Sequence, residues 1–90
     1  SRRLDEAVRF ADECLAKAPD FWRCRQDRIA ALVELDRVPE AREEATRLLA
    51  RFPQMTAEQF GSTFADTATA LRQRRIAAAR AAGVPPRAAN

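Results

Sequence analysis

Few residues of this chain are of types that carry out chemistry. The 90 residues contain no histidine, two cysteines (Cys14 and Cys24) and two glycines (Gly61 and Gly83). The lack of histidine removes the commonest general base and metal ligand. Two scattered glycines cannot build a glycine-rich phosphate loop. The sequence therefore predicts a protein that is not an enzyme and has no catalytic residue, cofactor or metal ligand.

The two cysteines lie ten residues apart, on either side of Pro19. A zinc site would need further cysteine or histidine ligands, and the chain offers none. In a charge-rich chain of intracellular character, isolated cysteines behave as small buried hydrophobic residues. We expect both thiols to be reduced and to pack near each other without a disulfide.

The charged residues indicate solvated helix faces rather than a reaction centre. The carboxylate pairs Asp12–Glu13 and Glu43–Glu44 are adjacent in sequence, so the members of each pair face different directions on a helix. Residues 66–90 hold five arginines and one aspartate, whereas residues 1–65 sum to −1. Scattered arginines can contact phosphates, but nothing in this segment is arranged to read bases. Nucleic-acid binding is therefore a disfavoured alternative.

Composition and periodicity predict an all-α chain. Alanine, the best helix former, accounts for 20 residues. Apolar residues at helical spacing predict helices over residues 3–17, 21–35 and 39–51, with Asp20 as the N-cap of the second. A capping box, Thr56 with Gln59, predicts a helix start that Gly61 and Ser62 interrupt. A last helix is predicted over 64–82, with Gly83 as its cap and residues 84–90 as a flexible tail.

No apolar run approaches the roughly 20 residues needed to cross a bilayer. The first ten residues carry charges where a signal peptide would have an apolar segment. We expect a cytoplasmic protein that does not bind membranes.

A pattern of identical residues recurs along the chain with an offset of 34 residues. This offset carries Pro19 onto Pro53, and it also relates three alanine pairs, a glutamate pair and a leucine pair: Ala7 and Ala41, Ala11 and Ala45, Ala16 and Ala50, Glu6 and Glu40, Leu15 and Leu49. A helix–turn–helix unit with this period resembles the tetratricopeptide repeat. The small residues Ala7 and Ala41 and the closing prolines resemble those of the family. In the first helix of its repeat, the family has Trp, Leu, Gly and Tyr at four positions. In this chain the corresponding positions hold Arg25, Arg28, Ile29 and Leu32.

The resemblance implies antiparallel helix–turn–helix repeats of four to five helices, stacked as a superhelix over residues 1–83. The units would be approximately 1–20, 21–54 and 55–83, the first lacking its first helix. Such arrays bind a peptide or partner helix in a concave groove. The groove-facing residues it implies are Arg23, Gln26, Asp27, Ala30, Val33 and Phe60.

A first unit without its first helix would leave one apolar stripe uncovered. Since one repeat cannot bury its apolar face alone, we expect a longer array or self-association of the chain through this stripe: Leu4, Val8, Ala11 and Leu15.

The sequence therefore predicts a non-catalytic protein-interaction or oligomerisation module. A weaker resemblance links residues 36–60 and 71–86 to the C-terminal repeats of bacterial adenylate and guanylate cyclases, through the ending Ala82–Pro85. It implies, as an alternative, the regulatory end of a larger enzyme. A nucleic-acid-associated helical domain that uses the basic last helix is the other alternative.

Overall fold

The computed structural model of the protein describes residues 1–64 and 69–87, and its regular structure in these ranges is helical throughout. Four α-helices are joined by short turns and one 3₁₀ helix. They are α1 (Arg2–Lys17), α2 (Trp22–Glu34), α3 (Val38–Arg51), the 3₁₀ helix (Ala57–Phe64) and α4 (Thr69–Ala81). The all-α prediction is confirmed.

The turns that follow α1 and α3 share one geometry. Ala18 ends α1 with φ −137° and ψ 79°, and Phe52 ends α3 with φ −128° and ψ 76°. Each N–H bonds to the carbonyl four residues back, at 2.8 Å and 2.7 Å. Each carbonyl then accepts from the N–H three residues on, at 3.0 Å in both turns. The 34-residue offset of the sequence thus has a counterpart in backbone conformation.

Two other helix ends use left-handed residues, Asp36 after α2 and the predicted cap Gly83 after α4. Asp36 has φ 63° and Gly83 has φ 98°. In each turn the next N–H reaches back to a helix carbonyl five residues earlier, from Arg37 to Leu32 at 2.8 Å and from Val84 to Ala79 at 3.0 Å. This is the bonding of a Schellman motif, which satisfies carbonyls that the helix end leaves free.

The predicted N-terminal caps are only partly correct. Asp20 does not cap α2, because Phe21 holds that position without a side-chain cap, and Asp20 pairs with Arg51 at 3.2 Å instead. The Thr56 N–H does donate to the Gln59 side-chain oxygen at 2.8 Å. The segment that follows is a 3₁₀ helix running through Gly61 rather than an interrupted α-helix.

The C-terminal prediction is wrong for the tail. The predicted last helix is seen as α4 from Thr69 to Ala81, and its predicted start adjoins residues 65–68, which lie outside the described part. Val84 is buried, and the Pro85 carbonyl accepts from the Ala57 N–H at 2.7 Å. These two residues therefore pack on the domain, since the turn at Gly83 directs them back to the 3₁₀ helix. Residues 88–90 of the predicted tail lie outside the described part.

The core is centred on α2, which contacts α1, α3 and α4. Its Ile29 and Leu32 are fully buried, together with Leu48 of α3 and Phe60 of the 3₁₀ helix. Small residues fill the remaining contacts, among them Ala41, Ala45, Ala57 and Ala79.

The prediction of reduced cysteines is wrong in this structure. Cys14 of α1 and Cys24 of α2 form a disulfide, with their Cα atoms 6.3 Å apart. The turn at Pro19 folds the two helices back against each other, and this brings the two positions within bonding reach.

The predicted open stripe of α1 is largely covered within the chain. Val8 and Ala11 are buried, and Leu4 and Leu15 are half-buried, because α2 packs on this face. The exposed apolar residue of α1 is instead Phe10, whose exposed fraction is 63%.

Candidate functional site

A groove runs between α1 and α4 over the surface of α2. Its volume is about 460 Å³. Phe10 of α1 and Leu71 of α4 line it, and its other apolar lining includes Ala11, Ala30 and Ala31. We call this feature the apolar groove. Because the side chains of Ala30 and Ala31 are short, the backbone of α2 lies close to the surface of the groove.

The apolar groove holds two of the three large hydrophobic side chains that are exposed in the described ranges. Phe10 is 63% exposed and Leu71 is 38% exposed. The third, Phe21, is 44% exposed and does not line this groove. Large apolar side chains gathered at one concavity are typical of a surface that binds a partner.

Ion pairs between α2 and α4 lie along one edge of the groove. Arg75 donates to Asp27 at 2.8 Å, and Arg74 pairs with Glu34. The Asp27 side chain is 54% exposed, while that of Arg75 is 12% exposed. These pairs hold α4 beside α2 and mark a charged border next to the apolar surface.

The structure brings only some of the predicted groove residues together. Ala30 and Asp27 line the apolar groove. Val33 is half-buried and lies in a neighbouring depression beside Ala77 and Ala81. Arg23 is exposed, but its guanidinium lies 5.1 Å from the centre of the Trp22 ring and does not line the groove.

Two predicted groove residues belong to the core. Phe60 is fully buried, so no partner can reach it in the folded chain. Gln26 is also buried, and its side-chain amide donates to the sulfur of Met55 at 3.4 Å. Both predictions are wrong: the 3₁₀ helix packs against α4 and its Phe60 is part of the core, and Met55, which precedes the 3₁₀ helix, lies against Gln26.

Sequence reasoning missed Phe10 and Leu71. Phe10 lies three residues after Ala7, at the border of the apolar stripe of α1. That spacing is typical of a residue at the boundary between the core-facing and the solvent-facing side of a helix. Leu71 carries no such signal, since its exposure depends on where α4 docks.

A second cluster of charges joins α1, α2 and α3. The Glu44 side chain is 5% exposed and accepts from Arg25 and from Arg28, the latter at 2.7 Å. Arg28 also donates to Asp12 at 2.7 Å, and Arg25 donates to the Pro19 carbonyl at 2.7 Å. The prediction of a solvated face is therefore wrong for Glu44.

The electrostatics of this cluster favour a structural role. Burial alone would lower the pKa of Arg28, but the hydrogen bond to Asp12 and the charge of Glu44 outweigh it and raise that pKa above its ordinary value. Both oxygens of Glu44 are held by guanidinium groups. A carboxylate committed in this way is not placed to accept a proton from a substrate. On the surface, the hydrogen bond from Arg37 lowers the pKa of Glu40.

Comparison of the chain with protein-family models, curated proteins and solved structures gave no match. Within residues 1–64 and 69–87, no three histidine, cysteine or acidic side chains come together as metal ligands would. In the same ranges, no helix has the length and apolar character needed to cross a membrane.

Proposed function

We propose that this chain is a non-catalytic interaction module that binds an amphipathic helix of a partner protein in the apolar groove. The observation that carries the proposal is the placement of exposed Phe10 and Leu71 in one concavity. A helix that lays its apolar side chains into a groove, at spacings of three and four residues, is a recurring mode of recognition.

The shape of the groove and the charge of its border support a helix that binds mainly through apolar side chains. The charged residues at the groove edge are already paired within the chain, Arg74 with Glu34 and Arg75 with Asp27. The alanines of the groove permit close approach of a helix backbone, and about 460 Å³ accommodates a few apolar side chains.

The tetratricopeptide-type arrangement belongs to the proposal as well. The repeated turn geometry at Ala18 and Phe52 supports it. The apolar groove differs from the predicted one because α1 forms part of it, whereas the resemblance placed only first helices of repeats there.

Other predictions from the sequence stay predictions. A regulatory end of a cyclase-like enzyme has no structural observation in its favour, and a nucleic-acid-associated domain would show affinity that falls steeply with salt. For the compartment, the sequence suggests the cytoplasm, whereas the disulfide between Cys14 and Cys24 is more typical of an oxidising compartment.

The test is a peptide-display selection on the full chain, followed by affinity measurement on three proteins. We expect the selected peptides to carry apolar residues three and four apart and to bind wild type. Phe10→Asp should weaken them at least tenfold, because burying the exposed ring of Phe10 is worth up to about 3 kcal/mol. Phe21→Asp is the matched control, since Phe21 is an exposed aromatic residue outside the groove.

Two results would contradict the proposal. Peptides that bind Phe10→Asp and wild type equally well would place recognition outside the apolar groove. A sedimentation-equilibrium mass that rises to a dimer in wild type but not in Phe10→Asp would show that a second copy covers the groove instead of a partner.

A further inference from the structure

A second cleft lies on the face of α4 that points away from the apolar groove. Its volume is about 600 Å³, and we call it the basic cleft. Arg72, Gln73, Ile76 and Arg80 line it from α4, and Glu58, Pro86 and Arg87 complete it. The α4 residues of the two features lie on nearly opposite sides of a 3.6-residue helix, so the features are separate sites.

The position of Arg72 is set by a glycine. A Cβ atom at Gly61 would lie 2.5 Å from Cγ of Arg72 and 3.1 Å from Cδ1 of Ile76. The missing side chain therefore leaves the room in which the stem of Arg72 lies against the 3₁₀ helix. The Nε–H of Arg72 is buried and has no hydrogen-bond partner within the described part of the chain. This leaves the guanidinium partly desolvated and short of an acceptor, which strengthens its attraction for an anion.

Within the described residues, the arginines of the basic cleft have no carboxylate partner. On the other face of α4, Arg74 and Arg75 each have a carboxylate partner. For Arg72, Arg80 and Arg87, no carboxylate lies within ion-pair distance among residues 1–64 and 69–87. Among the described residues, Glu58 is the one acidic residue that lines the cleft, so their formal charge there is +2, three guanidinium groups less one carboxylate.

We propose that the basic cleft binds the dianion of a phosphate monoester. A phosphate group carries close to two negative charges at neutral pH and three acceptor oxygens, which matches the charge and the donors of the cleft. Guanidinium groups bind phosphate through strong, charge-assisted hydrogen bonds. The volume exceeds that of one phosphate group, and Ile76 and Pro86 provide apolar contact for the esterified organic group.

The test is a titration of the ¹⁵N-labelled full chain, followed by NMR through the arginine Nε–H signals. The probes are phenyl phosphate, inorganic phosphate, benzenesulfonate, phosphoserine and an oligothymidylate. We expect phenyl phosphate to shift the Arg72 Nε–H signal and to bind at least fivefold more tightly than benzenesulfonate, which has one negative charge. If phosphoserine binds more tightly than phenyl phosphate, the phosphate monoester is part of a phosphorylated protein. If phenyl phosphate binds more tightly, the phosphate monoester is a small molecule. Both orders agree with the proposal.

Variants distinguish binding in the basic cleft from nonspecific attraction of the phosphate to the positive charge of the protein. Arg80→Gln should weaken phenyl phosphate about tenfold or more, because it removes a charge-assisted hydrogen bond. Arg42→Gln removes the same charge from the exposed surface of α3, at a position without an ion pair in the described ranges, and should change the affinity less than twofold. Gly61→Ala should also weaken binding, through displacement of Arg72.

Three results would overturn the proposal. Equal losses in Arg80→Gln and Arg42→Gln would show attraction to net charge only. No shift of the Arg72 signal at millimolar phenyl phosphate would show that the cleft takes no phosphate. An oligothymidylate that binds a hundredfold more tightly than phenyl phosphate, with the same dependence on Arg80, would reassign the cleft to nucleic acid.

Discussion

Replacing Glu44 by glutamine tests whether the buried ion-pair cluster holds the first three helices together. The change keeps the size of the side chain and removes its negative charge. Glu44 lies on α3, and its two half-buried partners, Arg25 and Arg28, lie on α2. In Glu44→Gln, these guanidinium groups stay in place and lose the charge that offsets their desolvation.

The size of the expected stability loss depends on the hydrogen-bond partners that Arg25 and Arg28 keep in Glu44→Gln. Removing one partner of a fully buried pair costs about 3–5 kcal/mol. Here Arg28 keeps Asp12, Arg25 keeps the Pro19 carbonyl, and their side chains are 19% and 18% exposed. We therefore expect a loss of about 2–3 kcal/mol in the free energy of unfolding, below the low end of the range for a fully buried pair. A chain of this size has a total stability of roughly 5–13 kcal/mol, so the variant should still fold.

The assay is urea unfolding followed by circular dichroism, and Glu43→Gln is the control. Glu43 is the neighbouring residue, is exposed and has no ion pair in the described part of the chain. With a slope of about 1.5 kcal/mol per molar urea, the midpoint of Glu44→Gln should fall by about 1.3–2 M. The control should stay within about 0.5 kcal/mol of wild type.

A double-mutant cycle with Arg28→Gln adds a direct measure of the pair. Coupled residues of one network show interaction energies of about 0.5–3 kcal/mol. If Glu44→Gln unfolds at the same urea concentration as Glu43→Gln, or if the coupling energy is near zero, the cluster does not stabilise the helix packing and the reasoning is refuted.

Two further predictions concern the α1–α2 disulfide and the turn after α2. Because the bond between Cys14 and Cys24 closes a loop with a sequence separation of 10, reduction should lower the free energy of unfolding by about 3 kcal/mol. Urea midpoints with and without dithiothreitol measure this; Cys24→Ser should not respond to the reductant, and a wild type that does not respond either would contradict the bond. Asp36 has φ 63°, so Asp36→Gly should gain up to about 1 kcal/mol by relieving the left-handed backbone. Asp36→Val should lose stability in the same urea assay, and the opposite order of the two variants would contradict the assignment of the turn.

The positions of the first three helices are predictable from the sequence because each depends on local signals. Apolar spacing and the prolines after α1 and α3 give their bounds to within one residue. Asp36 and Gly83 identify the two left-handed turns, since few other residue types accept that backbone. Such features depend on residues within a few positions of one another, so a single sequence suffices to find them.

The features that escape prediction depend on contacts between distant parts of the chain. Glu44 and Glu43 have the same chemistry and are adjacent, and only the docking of α2 decides which is buried. Gln26 is buried and its amide donates to the sulfur of Met55, 29 residues further along the chain, which no periodicity of α2 indicates. The apolar groove needs α4 beside α2, and the pairs that place it there connect residues 40 and 48 positions apart.

The same separation in sequence sets an order for folding. Helices α1, α2 and α3 follow one another through short turns, so their contacts close short loops and we expect them to form first. The contact of α4 with α2 closes a much longer loop, so it costs more chain entropy before the packing of the two helices offsets that cost. The apolar groove therefore comes into existence only when the last helix docks. If a partner helix binds there as proposed, it recognises the completed packing of α4 on α2, and we expect newly made chains to bind it only after α4 has docked.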